Sequence, residues 1–172
     1  MVVSSDGTTY ITGSANSSFA GVTHTDIFVA GVNPSGSSLA FMTHLGGTAN
    51  DSPTAMAVGA SGAIYLAGAT SSYDFPVISA PQAVLGGGAS DAFLLKLSAT
   101  GDAFEFGTFA GDISTDAAEG LAVDADENVF LVGSTFSPNF PVLASPRAYQ
   151  SVVKVPAQHR GRRGAPLTRR DD

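Results

Sequence analysis

The chain has 172 residues, enough for one domain with a sizeable core, and no cysteine, which removes disulfides and thiolate metal sites. It is 44% hydrophobic and only 13% charged, with 20 glycines and 9 prolines, a mixture that excludes a disordered chain and disfavours long helices, because Gly costs about 1 kcal/mol per helix position relative to Ala. The net charge of −7 is uneven: residues 1–153 hold two basic residues, Lys96 and Arg147, against 13 acidic ones, whereas residues 154–172 hold six basic and two acidic.

The opening segment "MVVSSDGTTY" has neither the basic nor the apolar region of a signal peptide, and no stretch approaches the roughly 20 apolar residues that span a bilayer. "DGTTYITG" reads as a turn followed by a strand ending at Gly13. "SGAIYLAG" ends the same way at Gly68 and "ENVFLVG" at Gly133, 55 and 65 residues further along in turn. The ten-residue difference falls in one connection: Gly13 to Asp26 is 13 residues and Gly68 to Asp91 is 23. The other spacings agree, with 20 residues from Asp26 to Gly46 and from Asp91 to Gly111, and 22 from Gly46 to Gly68 and from Gly111 to Gly133. A period of this size implies a solenoid, propeller or array.

The first unit continues through a connection holding His24, expected to be exposed, to "LAFMTHLGG". His44 there aligns with Phe109 of the next unit, so its position reads as a packing slot. The second unit offers four strands: "TAMAVGA"; after the Ser61-Gly62 turn, "AIYLAGA", apolar enough to be buried on both faces; "DAFLLKLS"; and, after Thr100-Gly101, "DAFEFGTFAG". In the last, Phe104, Phe106 and Thr108 alternate with Glu105, as in an outer strand with one solvated side. Between the second and third strands lies "TSSYDFPV", nearly repeated 65 residues later as "TFSPNFPV". Proline keeps Phe75 and Phe140 out of the α region, so each Phe is expected to pack on neighbouring strands, with Asp74 or Asn139 capping its own turn. The Gly-rich "LGGGAS" lacks the strand–turn–helix setting of a phosphate loop and reads as a flexible connector. The predicted core comprises Ile64, Tyr65, Leu66, Phe93, Leu95, Phe104, Phe106, Phe130 and Val132.

In the third unit, "DISTDAAEGLAVDADEN" places Asp124, Asp126 and Asn128 two apart, as in calcium loops. No glycine follows at the sharp turn, and the second unit has Gly59, Ser61 and Ala63 there, so these three are weak metal candidates and a solvated turn is the default. No Ser-His-Asp arrangement or G-x-S-x-G is present, so no catalytic residue and no cofactor is expected. The pattern stops after Gln150 and gives way to the basic tail "KVPAQHRGRRGAPLTRRDD", which includes His159 and has no aromatic residue for stacking on bases. A truncated or frame-shifted reading frame accounts for this tail, with disorder as the consequence; nucleic-acid binding is disfavoured by the acidic body.

Four antiparallel strands per period describe one propeller blade, and the expectation is an all-β partial β-propeller with about ten strands and almost no helix. Blade 1 would span residues 1–47, a complete blade 2 residues 48–112, half of blade 3 residues 113–153, and the tail residues 154–172. "DAFLLKLSATGDAFEFGTFAGD", "AVDADENVFLVGST" and the "DFP" and "NFP" loops resemble the SBBP-type bacterial β-propeller repeat family over about residues 3–150. The first unit departs from the pattern with "SANSSFAGV" in place of Phe-Pro. The resemblance implies a module of a large exported or cell-surface protein, acting as a structural or interaction scaffold whose partners are other blades, copies of itself, or a protein or glycan ligand. The alternative is a fragment of a propeller-based carbohydrate-active enzyme or glycan-binding protein.

Overall fold

A computed structural model describes residues 1–141. They form ten strands: β1 (Val2–Val3), β2 (Thr9–Phe19), β3 (Val22–Val32), β4 (Leu39–Leu45), β5 (Asp51–Val58), β6 (Ile64–Thr70), β7 (Asp91–Leu97), β8 (Phe104–Ala110), β9 (Asp116–Val123) and β10 (Val129–Thr135). There is no helix among the described residues. The strands make three antiparallel sheets, β1-β2-β3-β4, β5-β6-β7-β8 and β9-β10, each from consecutive strands. The fold is all-β, and among the described residues the three sheets do not close a ring.

Turn chemistry sets the hairpins. The β1–β2, β5–β6 and β9–β10 turns each need one residue at positive φ, supplied by Gly7 (88°), Gly62 (85°) and Glu127 (59°). Glycine adopts this conformation at little cost and Glu does not. The shortened connection of the first unit is not a loop: β2 and β3, 11 residues each, run on as one hairpin closed by Ala20 and Gly21, both at positive φ, as a two-residue I′ turn requires. In the second unit β6 ends at Thr70 and residues 71–90 form an irregular connection, which holds the ten-residue excess outside any strand.

As expected, β8 is the outer strand of its sheet with Glu105 exposed, but the connection covers the second half of it. Ile78 exchanges backbone hydrogen bonds with Gly107, and Phe109 N–H donates to Gln82 O, so the loop lies along the outer edge of β8. Gly107, Thr108 and Phe109 are consequently buried in succession, and Phe106 is only half-buried. Over residues 107–109 the edge is therefore taken and does not offer itself to another chain. Phe75 anchors the loop: it is 2% exposed, with ring centroids 4.8 Å from Phe93 and 6.1 Å from Phe109. The first unit has no such loop, so His44, aligned with Phe109, is exposed and not packed. "LGGGAS" is not a loose connector either. Leu85 is buried, and a methyl at Gly86 or Gly88 would collide with the backbone of Asp112 or Ser114.

The sheets stack in chain order. β5 packs on β2 and β3, and β9 packs on β5, β6 and β7. The larger core joins Tyr10, Ile27, Val29 and Leu45 of the first sheet to Ile64, Leu66, Phe93, Leu95 and Leu97 of the second. The second junction uses small residues: Ala67, Ala92 and Ala118 are buried against Ala110, Leu121 and Leu131, and Thr54 Oγ1 donates to Ala118 O at 2.7 Å. Of the predicted core, Ile64, Tyr65, Leu66, Phe93 and Leu95 are buried and Phe104 packs partly against them. Phe130 and Val132 are not buried; they are 57% and 63% exposed, because they lie on the face of the third sheet turned away from the second and no further sheet covers it among the described residues.

Candidate functional site

Two polar clusters mark opposite ends of the sheets. At the end where β5, β7 and β9 begin, the register sets Asp51 beside Thr70 and Thr70 beside Asp91 in one row. All three side chains are fully buried. Thr70 Oγ1 donates to Asp51 Oδ1, and Asp51 Oδ2 accepts from Ser72 Oγ at 2.9 Å and Gly47 N at 2.8 Å. The third sheet repeats this 65 residues on, where Asp116 pairs with Thr135 and its Oδ2 accepts from Ser137 Oγ at 2.7 Å and Asp112 N at 3.0 Å. Each carboxylate thereby fastens the connection entering its own strand, since buried charge must be hydrogen-bonded.

Where two sheets meet, one acid from each comes together. A methyl at Gly46 would collide with Asp26 Oδ1 and fall 2.9 Å from Asp51 Oδ2, so the two carboxylates flank one glycine. The matching pair at the second junction is Asp91, which a methyl at Gly111 would strike, and Asp116, whose charge acts on Asp91. Burial pushes Asp91 up to about 6, with the charges of Asp116 and Asp112 adding to the rise and Gly86 N–H opposing it. Burial also raises Asp51, against the lowering effect of Thr70 and Gly47. His24, expected to be exposed, is in fact buried in β3 with Nε2 3.4 Å from Asp26 Oδ1. Asp74 does not cap its own turn; its Oδ1 accepts from Thr48 N and Oγ1 at 2.9 and 3.0 Å, tying the Phe-Pro loop to the preceding connection.

At the opposite end Glu127 holds the third sheet to the second. Its Oε1 accepts from Ser61 N at 2.9 Å, and its Oε2 accepts from Tyr65 Oη at 2.9 Å and Lys96 Nζ at 3.3 Å. Ser61, Tyr65 and Lys96 hold its carboxyl down to about 2. Lys96 also pairs with Glu105 at 3.2 Å and lies 5.5 Å from the Tyr65 ring centroid. This network compensates the left-handed backbone at Glu127, where the other two units have Gly7 and Gly62.

Of the weak metal candidates, Asp124 is occupied within its own turn. Its Oδ1 accepts from Asp126 N and Asn128 N at 3.0 and 2.8 Å, and its Oδ2 from Asn128 Nδ2 at 2.9 Å. Among the described residues no three acidic or histidine side chains converge on a point suited to a metal ion. A cavity of about 620 Å³ opens between the turns at this end, lined by Ser4, Asp6, Tyr10, Gly59, Ser61 and Asp124 among others. Val142, the rest of the third unit after Pro141, and the basic tail with His159 lie outside the described residues. Sequence reasoning missed the Asp-Thr-Ser sets, although Asp51, Thr70 and Ser72 recur as Asp116, Thr135 and Ser137 at the repeat spacing. Neither a protein-family model nor a curated protein matches this sequence.

Proposed function

We propose that the chain is a non-catalytic β-propeller repeat module of the SBBP type, serving as a structural or interaction scaffold within a larger exported or cell-surface bacterial protein. One observation carries the reading: the polar groups that recur from unit to unit hold strand connections in place, and one more ties two sheets together. Asp51 and Asp116 accept from equivalent serine hydroxyls, Ser72 and Ser137, in successive units, and Glu127 bridges two sheets. Sheets of consecutive strands stacked in chain order are the parts from which a propeller is assembled. The exposed face carrying Phe130 and Val132 is where a further sheet or a second copy of the chain would pack.

Size-exclusion chromatography with light scattering tests the reading. The isolated chain should self-associate at tens of micromolar, through that face and the outer edge of β10, and chains extended by further units should be monomeric. A stable monomer with a cooperative thermal transition would overturn it. A glycan-binding module is the second reading, favoured by the cavity between the turns. Binding on a glycan array that is lost in Asp6→Ala and Asp124→Ala would support that reading over the scaffold.

A further inference from the structure

The two junctions between sheets carry different charge. The first brings Asp26 and Asp51 together with the buried His24 imidazole against Asp26, and Gly47 follows the shared glycine. Counting 65 residues on, the second junction has Ala89 in the place of His24 and Asp112 in the place of Gly47. The acid near the shared glycine is therefore the partly buried Asp112, where the first junction has the exposed Asp74 against Gly47, and the only basic group is lost. Among the described residues the sole lysine or arginine is Lys96, engaged with Glu105 and Glu127 at the far end of the sheets.

Three carboxylate oxygens at the second junction are buried without a hydrogen-bond partner: Asp91 Oδ1, Asp112 Oδ2 and Asp116 Oδ1. Asp91 and Asp116 are fully buried. The bond from Asp116 N to Ser90 O at 2.8 Å ties the start of β9 to the residue before Asp91, which keeps the two residues side by side while β9 is docked. The groups facing Asp91 are all acidic or neutral. Asp116 comes from β9, Asp112 from the β8–β9 connection, Gln82 and Gly86 from the loop, Thr70 from β6, and Asp51 stands beyond Thr70 on β5. Adjacent buried carboxylates without a cation cannot both stay ionised cheaply.

We propose that the second junction is a proton-dependent joint, in which Asp91 takes up a proton beside Asp116 when the third sheet docks on the second. The proton comes from solvent, and no bond other than the carboxyl O–H forms. Acid pH then tightens the joint and neutral pH loosens it. The sign follows from the folded carboxyl binding its proton more tightly than the unfolded one. Stability falls as pH rises from about 4 towards about 6, by up to tenfold in the folding equilibrium per pH unit, and levels off above. A divalent cation is the other way to neutralise such a cluster, but no three of these groups converge on one point.

The test compares the intact chain with Asp91→Asn between pH 4.5 and 7.5, by urea denaturation and by hydrogen exchange at Ala118 and Leu131. The wild type should lose protection at both amides as pH rises. Asp91→Asn should match or exceed wild-type stability at pH 7.5 and lose the pH-dependent part. Asp102→Asn, at an exposed turn, should keep it. Equal pH profiles for wild type and Asp91→Asn would overturn the proposal. So would stabilisation of the wild type at pH 7.5 by millimolar calcium that is absent in Asp91→Asn, since a cation would then close the joint.

Discussion

Phe75 offers the most direct measurement of what the Phe-Pro loop contributes. Phe75→Ala removes a ring that is 2% exposed and stacked in tilted geometry on Phe93 and Phe109. The loop cannot collapse into the void, because Ile78 and Gln82 hold its backbone to β8 on the far side. Truncating a buried Phe costs about 3–5 kcal/mol, and a site that cannot relax lies in the upper part of that range, so about 4 kcal/mol is expected here. The chain has no tryptophan, so urea unfolding followed by far-UV circular dichroism is the suitable assay. Phe106→Ala, at a half-buried ring on the same strand, should cost about 1–2 kcal/mol. Tyr73→Ala, at a side chain 75% exposed two residues from Phe75, should change stability by less than about 0.5 kcal/mol. A loss below about 1 kcal/mol for Phe75→Ala would mean that the ring does not anchor the loop.

Two further substitutions probe the backbone. Gly68→Ala would drive a methyl into Ser52 O and to within 2.9 Å of Pro53 Cα and the Phe93 ring, and the backbone of Ser52 and Pro53 cannot yield within the sheet, so a loss of about 3 kcal/mol in the same assay is expected. Glu127→Ala should be less stable than Glu127→Gly by about 1 kcal/mol, since both lose the network but alanine keeps the left-handed strain; equal stabilities in urea would mean the turn relaxes freely.

The repeat was legible because its signals are local. Gly7, Gly62 and Gly101 mark turns, and "AIYLAGA" is too apolar to be anything but buried. What escaped depended on partners distant in sequence. His44 and Phe109 occupy the same strand position, yet one is exposed and the other covered, because only the second unit has a loop to cover it. His24 was misread because a polar connection turned out to be paired strand. The joining acids were invisible for the same reason: Asp51, Thr70 and Asp91 stand 19 and 21 residues apart, and only the strand register puts them in one row. Glu127 broke the glycine rule at its turn, and the compensating Lys96 and Tyr65 belong to another sheet.

Among the described residues every sheet is built from strands contiguous in the chain, and this bears on how such an array can change its length. A gene segment copied in one piece would bring a whole sheet, with nothing to rethread through its neighbours. The copy would also carry both halves of a junction, the leading acid of Asp51 type and the trailing acid of Asp91 type, so it would fit against either neighbour on arrival. Divergence can then proceed joint by joint: one interface acquires a histidine, as beside Asp26, and the next a carboxylate where its neighbour has glycine, as at Asp112. Duplication sets the number of sheets, and later point substitutions decide how firmly each neighbour is held.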